Sequence, residues 1–164
     1  MRYERYDDED GWEEPSAEEA AKLALRVEAA FADRTSPSKL VRSDVSFDIE
    51  ETELHFTGDA SELLTPDHLR THAACLWMFS AEAFRFYLPT FLLCELRHLA
   101  SSGSIVDHII TQFDSDERAE RCAAIVSSLT VAEREAVYSV IELFRGGRNL
   151  DSQTSRALTA LRDS

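Results

Sequence analysis

Residues 81–100 read AEAFRFYLPTFLLCELRHLA, and this stretch decides the fold. Apolar side chains occupy nearly every direction around the helical projection rather than one stripe, which marks a helix buried on most of its sides. Ser80 supplies an N-cap hydroxyl directly before it. Pro89, inside the run, removes one backbone donor and crowds the carbonyl of Arg85, so a kink is expected there. A helix this apolar has to be covered by others, and the rest of the chain should supply them.

Working outward, one local grammar repeats: an apolar residue, a Ser or Thr cap, then a helix. It occurs at Leu64-Thr65-Pro66, at Phe79-Ser80-Ala81 and at Leu129-Thr130-Val131, and predicts helices over 66–78, 81–100 and 131–145. Thr130 and Glu133 have the spacing of a capping box, as do Ser16 and Glu19 before an Ala-rich helix that runs to about Asp33. Apolar spacing predicts short helices over 105–113 and 119–126, and a final one from Asp151 to Arg162. The expected class is therefore mainly α, a compact multi-helix single domain over 16–164.

Two segments depart from this pattern. Residues 1–15 carry seven acids against two arginines, and read as an acidic disordered tail with too few apolar groups to offset ordering. In residues 39–57, Val41, Val45, Phe47 and Ile49 alternate with polar residues as in an exposed strand, while DIEETELHF also suits a short helix. A short β-hairpin and an irregular segment with a short helix both fit, and the lack of another strand to pair with favours the second.

The 164 residues include 17 Lys and Arg against 31 Asp and Glu, a formal net charge of -14, which argues against direct binding to nucleic acid phosphates or anionic membranes. At 44% hydrophobic the chain can build a core, so wholesale disorder is excluded. The first residues place carboxylates where a secretory leader carries its apolar run, and the longest apolar stretch, Phe86 to Cys94, is far shorter than the roughly 20 residues of a membrane span. A cytoplasmic protein is expected. Cys75, Cys94 and Cys122 each sit within apolar runs and read as reduced core residues.

Three stretches together, LTPDHLRTH at 64–72, FSAEAFRFYLPTFL at 79–92 and LTVAER at 129–134, resemble an uncharacterised family of small bacterial helical proteins defined only as a domain of unknown function. The most specific part is E-A-F-R-F-Y-L-P-x-F-L, Glu82 to Leu92. The resemblance spans roughly residues 55 to 145. It implies a helical cytosolic domain and carries no activity or catalytic residues to transfer.

Candidate chemistry is sparse. His68 and His72 are four apart, so both imidazoles can face one side of a helix, yet H-L-R-T-H lacks the glutamate of a zinc protease. Spacing places no third ligand among His55, His98, His108, Cys75 and Cys94, and no metal or cofactor is assigned. Arg85 stands in a helix too apolar to hydrate it, and is expected to pair with an acid such as Glu82 or one from residues 44–62. The alternative makes Arg85 and Tyr87 the polar groups of a ligand or catalytic pocket around the kink. Gly146-Gly147-Arg148-Asn149 follows a helix rather than a strand and reads as a C-cap and turn, not a phosphate loop. No nucleophile elbow is present, and no catalytic residue is assigned.

The charge map is the most unusual feature. Between Arg42 and Arg70 there is no Lys or Arg, while Asp44, Asp48, Glu50, Glu51, Glu53, Asp59, Glu62 and Asp67 lie among apolar Phe47, Ile49, Leu54 and Phe56. An ordered acidic face of this kind attracts a basic protein. The leading expectation is a non-enzymatic binding protein that docks on a basic partner through Asp44, Asp48, Glu50, Glu51, Glu53, Asp59 and Glu62. An immunity or antitoxin protein that covers the active site of a bacterial toxin is the concrete example. A third reading makes the chain a subunit of a larger assembly, with Val137, Val140, Ile141 and Phe144 exposed in the monomer.

Overall fold

The computed structural model describes residues 15–45, 49–56, 64–101, 104–116, 118–146 and 150–163. They form eight α-helices: α1 (Ala17–Ala30), α2 (Ile49–His55), α3 (Pro66–Thr71), α4 (Ala81–Arg97), α5 (Ser104–Gln112), α6 (Ala119–Ser128), α7 (Val131–Arg145) and α8 (Ser152–Arg162). Two 3-10 segments, Ala73–Met78 and Leu99–Ser101, flank α4. The chain is thus an all-α, multi-helix fold. The acidic tail at 1–14 lies outside the described residues.

α4 is the central element, as its composition requires. Eleven of its 17 residues are buried, and Phe84, Tyr87, Leu88, Phe91 and Leu92 are fully so. Burying each such side chain contributes roughly 1.5–3 kcal/mol, so this one helix organises the core. It packs on α1, α3, α5 and α6, while α7 packs on α1, α5 and α8. α4 runs through Pro89 as one element, and Pro89 is itself buried. The helix ends at Arg97 rather than 100, with the chain continuing as a 3-10 turn.

Local capping chemistry sets the helix starts. Ser80 accepts from the Ala83 amide and Thr65 from the His68 amide. Thr130 and Glu133 form the complete reciprocal box. At α1 only half of the predicted box is made: Ser16 accepts from the Glu19 amide, and the Glu19 carboxylate accepts from the Ser16 hydroxyl instead of the Ser16 amide.

The helix expected over 66–78 divides at His72. Up to that point the bonds are helical, the His72 amide donating to the His68 carbonyl; at the far end, the carbonyls of Leu76 and Phe79 accept from the buried Arg121 guanidinium and that of Met78 from the Arg42 amide. From His72 the bonds shorten to three residues, the Cys75 amide donating to the His72 carbonyl, and the chain takes the tighter 3-10 path whose last carbonyls the arginine side chain and the loop amide satisfy. Within 39–57 the helical reading prevails for the described residues, with only an isolated antiparallel bridge, Val41 to Phe79. Thr52 and Phe56, four apart, turn inward at 1% exposure each, so the governing period is helical and not alternating. Val41, Val45 and Met78 make a small second cluster beneath α2.

The α7 face of Val137, Val140, Ile141 and Phe144 is buried within the single chain, at 0–2% exposure. This corrects the expectation that it stands open to a second subunit: α1, α5 and α8 occupy its surroundings. Among the described residues no helix is long and apolar enough to cross a membrane.

Candidate functional site

The corner where α2 meets α3 gathers most of the chemistry. Phe56, just past α2, is 1% exposed and packs edge-on against Phe79 and Tyr87, with ring centroids 5.0 and 5.4 Å apart. This fixes the end of α2 on the core and sets His55 beside α3. There His68 and His72, one turn apart, lie on the same side of the helix terminus. The His55 and His72 rings stack at 3.9 Å, while His68 lies 4.6 Å from His72 and 5.3 Å from His55. One ligand-capable atom from each lies within 4.8 Å of the others, and all three residues are half-buried. The structure thus supplies the third histidine that spacing did not place. His55 is 13 residues from His68, and only the position of α2 unites them.

On the outer side of α2, Glu50 and Glu53 are exposed, and Asp44 is exposed beside Arg42 at 3.3 Å. Asp48, Asp59 and Glu62 lie outside the described residues, as does the side chain of Glu51. Of the expected acidic face, the structure therefore places Asp44, Glu50 and Glu53 at the surface.

Arg85 has a different partner from the one expected. Its guanidinium donates from Nε to both oxygens of Glu133, at 3.0 Å each, and from Nη2 to Oε1 at 2.7 Å. Glu133 also accepts from the Thr130 amide, so one carboxylate both caps α7 and neutralises Arg85. This bond holds Arg85 more firmly protonated, its pKa raised above the usual arginine value. Glu82 instead accepts from the amide and hydroxyl of Ser38. Tyr87 is fully buried under Phe56 and Phe86, apart from the cavity of about 270 Å³ that Arg34, Ser38, Glu82, Arg85, Phe86 and Ser128 help line. Arg85 and Tyr87 therefore do not share a pocket.

A family model matches residues 19–163. The chain belongs to DUF6714, a family of unknown function. The match takes in α1 and α8, beyond the 55–145 span of the resemblance seen in the sequence, so the DUF6714 unit comprises the whole helical bundle. No curated protein and no solved structure matches the chain.

Sequence reasoning missed a groove of about 850 Å³ in this DUF6714 fold, formed where residues 39–44 pass the start of α6. Lys39, Arg42, Arg118 and Arg121 line it with Trp77, beside Asp44, Asp116 and Glu120. Mixed charge drawn from three separated segments leaves no contiguous motif to read. Elsewhere, burial pushes the Cys94 and Cys122 thiols up, which disfavours the thiolate a nucleophile needs.

Proposed function

We propose that this chain is a non-enzymatic binding protein whose acidic face, centred on α2, docks on a basic protein partner. An immunity or antitoxin protein that occludes the active site of a bacterial toxin in the cytoplasm is the form this function would take. The observation that carries the reading is the posture of α2. Glu50 and Glu53 point outward from a helix whose other side is held by buried Thr52 and Phe56. Charges fixed on an anchored helix give a partner a defined pattern to match, unlike charges on a free tail. The net charge of -14 extends the same attraction over a longer range.

The test begins with partners captured from the native host at low and moderate salt, followed by kinetics on the purified pair. Changing Glu50, Glu51 and Glu53 together to Lys should slow association at least about tenfold at low salt, with far-ultraviolet circular dichroism unchanged. An association rate that ignores both the substitutions and the salt concentration would remove this face from the interaction.

A further inference from the structure

We propose that His55, His68 and His72 bind one transition-metal cation of the zinc class through three imidazole nitrogens, with water as the fourth ligand. The inference does not rest on the partner reading above. Its first ground is convergence: two successive helices, α2 and α3, bring three ligand-capable atoms within 4.8 Å of one another. Tetrahedral zinc with nitrogen bonds of about 2.0–2.1 Å sets its ligand atoms roughly 3.3 Å apart. Closing that gap requires the half-buried rings to rotate out of the present His55–His72 stack onto the metal.

The second ground is the group behind one ligand. His68 Nε2 lies 3.3 Å from the carbonyl oxygen of His55. With the proton on Nε2, that nitrogen donates to the carbonyl and Nδ1 keeps its lone pair for a metal. Backbone carbonyls commonly orient ligating histidines in this way. The third ground is donor chemistry. A set made only of imidazole favours zinc, copper or nickel, and disfavours magnesium and calcium, which need oxygen ligands. Phe56 packs edge-to-face with His68 and with His72, so the apolar core forms one wall while the half-buried rings keep a route to solvent.

A cation here would clamp the end of α2 to α3. The same α2 carries Glu50 and Glu53, so metal occupancy would fix the posture of the acidic face. Competing with this is a purely structural role, in which the stacked His55 and His72 rings only pack.

The experiment uses the full chain, untagged and stripped by chelator, titrated with zinc chloride by calorimetry and with cobalt by visible absorption. One zinc per chain is expected, with the d–d band of four-coordinate cobalt and a melting temperature raised by about 5–10 °C at a hundredfold excess over Kd. His55→Gln and His72→Phe should each weaken binding at least about 100-fold, the second while keeping an aromatic ring in the stack. His98→Gln, on an exposed residue outside the cluster, should bind as the parent does. Failure of the parent chain to take up zinc or cobalt would overturn the proposal. So would stoichiometric uptake that survives the His55 and His72 substitutions.

Discussion

Arg85 on α4 and Glu133 on α7 are joined by a two-pronged ion pair in which the carboxylate is 1% exposed and the guanidinium 27% exposed. The asymmetry in burial decides how each partner tolerates the loss of the other. Arg85→Ala strands a buried carboxylate whose remaining bond is to the Thr130 amide, and should cost about 3 kcal/mol. Glu133→Gln keeps the shape and the cap acceptor, while Arg85 retains access to water, so about 1–2 kcal/mol is expected. Urea denaturation of both variants checks the order. A larger loss in Glu133→Gln would mean that Arg85 is the more confined group.

Acid stability should depend on Asp114. Its carboxylate is 1% exposed, accepts two bonds from Arg156 at 2.9 Å each, and also accepts from the Gln153 side chain and the Asp116 amide. The Arg156 bonds, ahead of the others, hold its pKa far below the usual carboxylate range. A depressed folded pKa contributes stability that is complete above the unfolded value, about 3.9, and is lost as pH falls through that value toward the folded one. Denaturant titrations should therefore show stability falling from about pH 5 downward. Asp114→Asn should cost about 2 kcal/mol at pH 7 and progressively less below pH 4, as protonation of the carboxyl in the unfolded parent removes the advantage of the folded charge. A cost constant with pH would disconnect Asp114 from the acid limb.

Arg121 offers a test of the 3-10 segment. This side chain, 9% exposed, reaches the carbonyls of Phe79 and Leu76 from Nη1 and Nη2, and its guanidinium lies over the Phe84 ring. Burial depresses its pKa to about 10. Lysine has one donor group where the two carbonyls need a fork. Arg121→Lys should lose one of the two side-chain bonds and cost about 1–3 kcal/mol in thermal or urea denaturation. No measurable loss would show that the carbonyls find other donors.

How legible was all this in the sequence? The central helix could be read because Phe84 to Leu96 is apolar in nearly every direction, and the starts of α3, α4 and α7 because Thr65, Ser80 and Thr130 are local signals. What stayed hidden is nonlocal. Arg85 finds Glu133, 48 residues on, and not the nearby Glu82, because the packing of the bundle brings the start of α7 to α4. His55 joins His68 and His72 because Phe56 pins α2, and no spacing rule expresses that. Nor does any local signal mark His72, where four-residue bonds give way to three-residue ones, or show that Arg121, 42 to 45 residues on, closes the far end of that segment.

Phe56 itself provides the sharpest check on α2. Its ring lies between the histidines and Phe79, Tyr87 and Phe91, so truncation to Ala opens a cavity whose cost, if fully felt, is about 3–5 kcal/mol. α2 is only seven residues long, too short to persist once its anchor is lost. The cheaper response is local opening, which limits the global loss to whatever holds α2 in place. Native-state hydrogen exchange of Phe56→Ala should then show α2 amides losing protection by at least about tenfold more than those of α4. Charge patterning on Glu50 and Glu53 should loosen with it, so association with a basic partner should become less sensitive to reversing those two residues. Equal loss of protection in α2 and α4 would instead make α2 part of the same cooperative unit as the core.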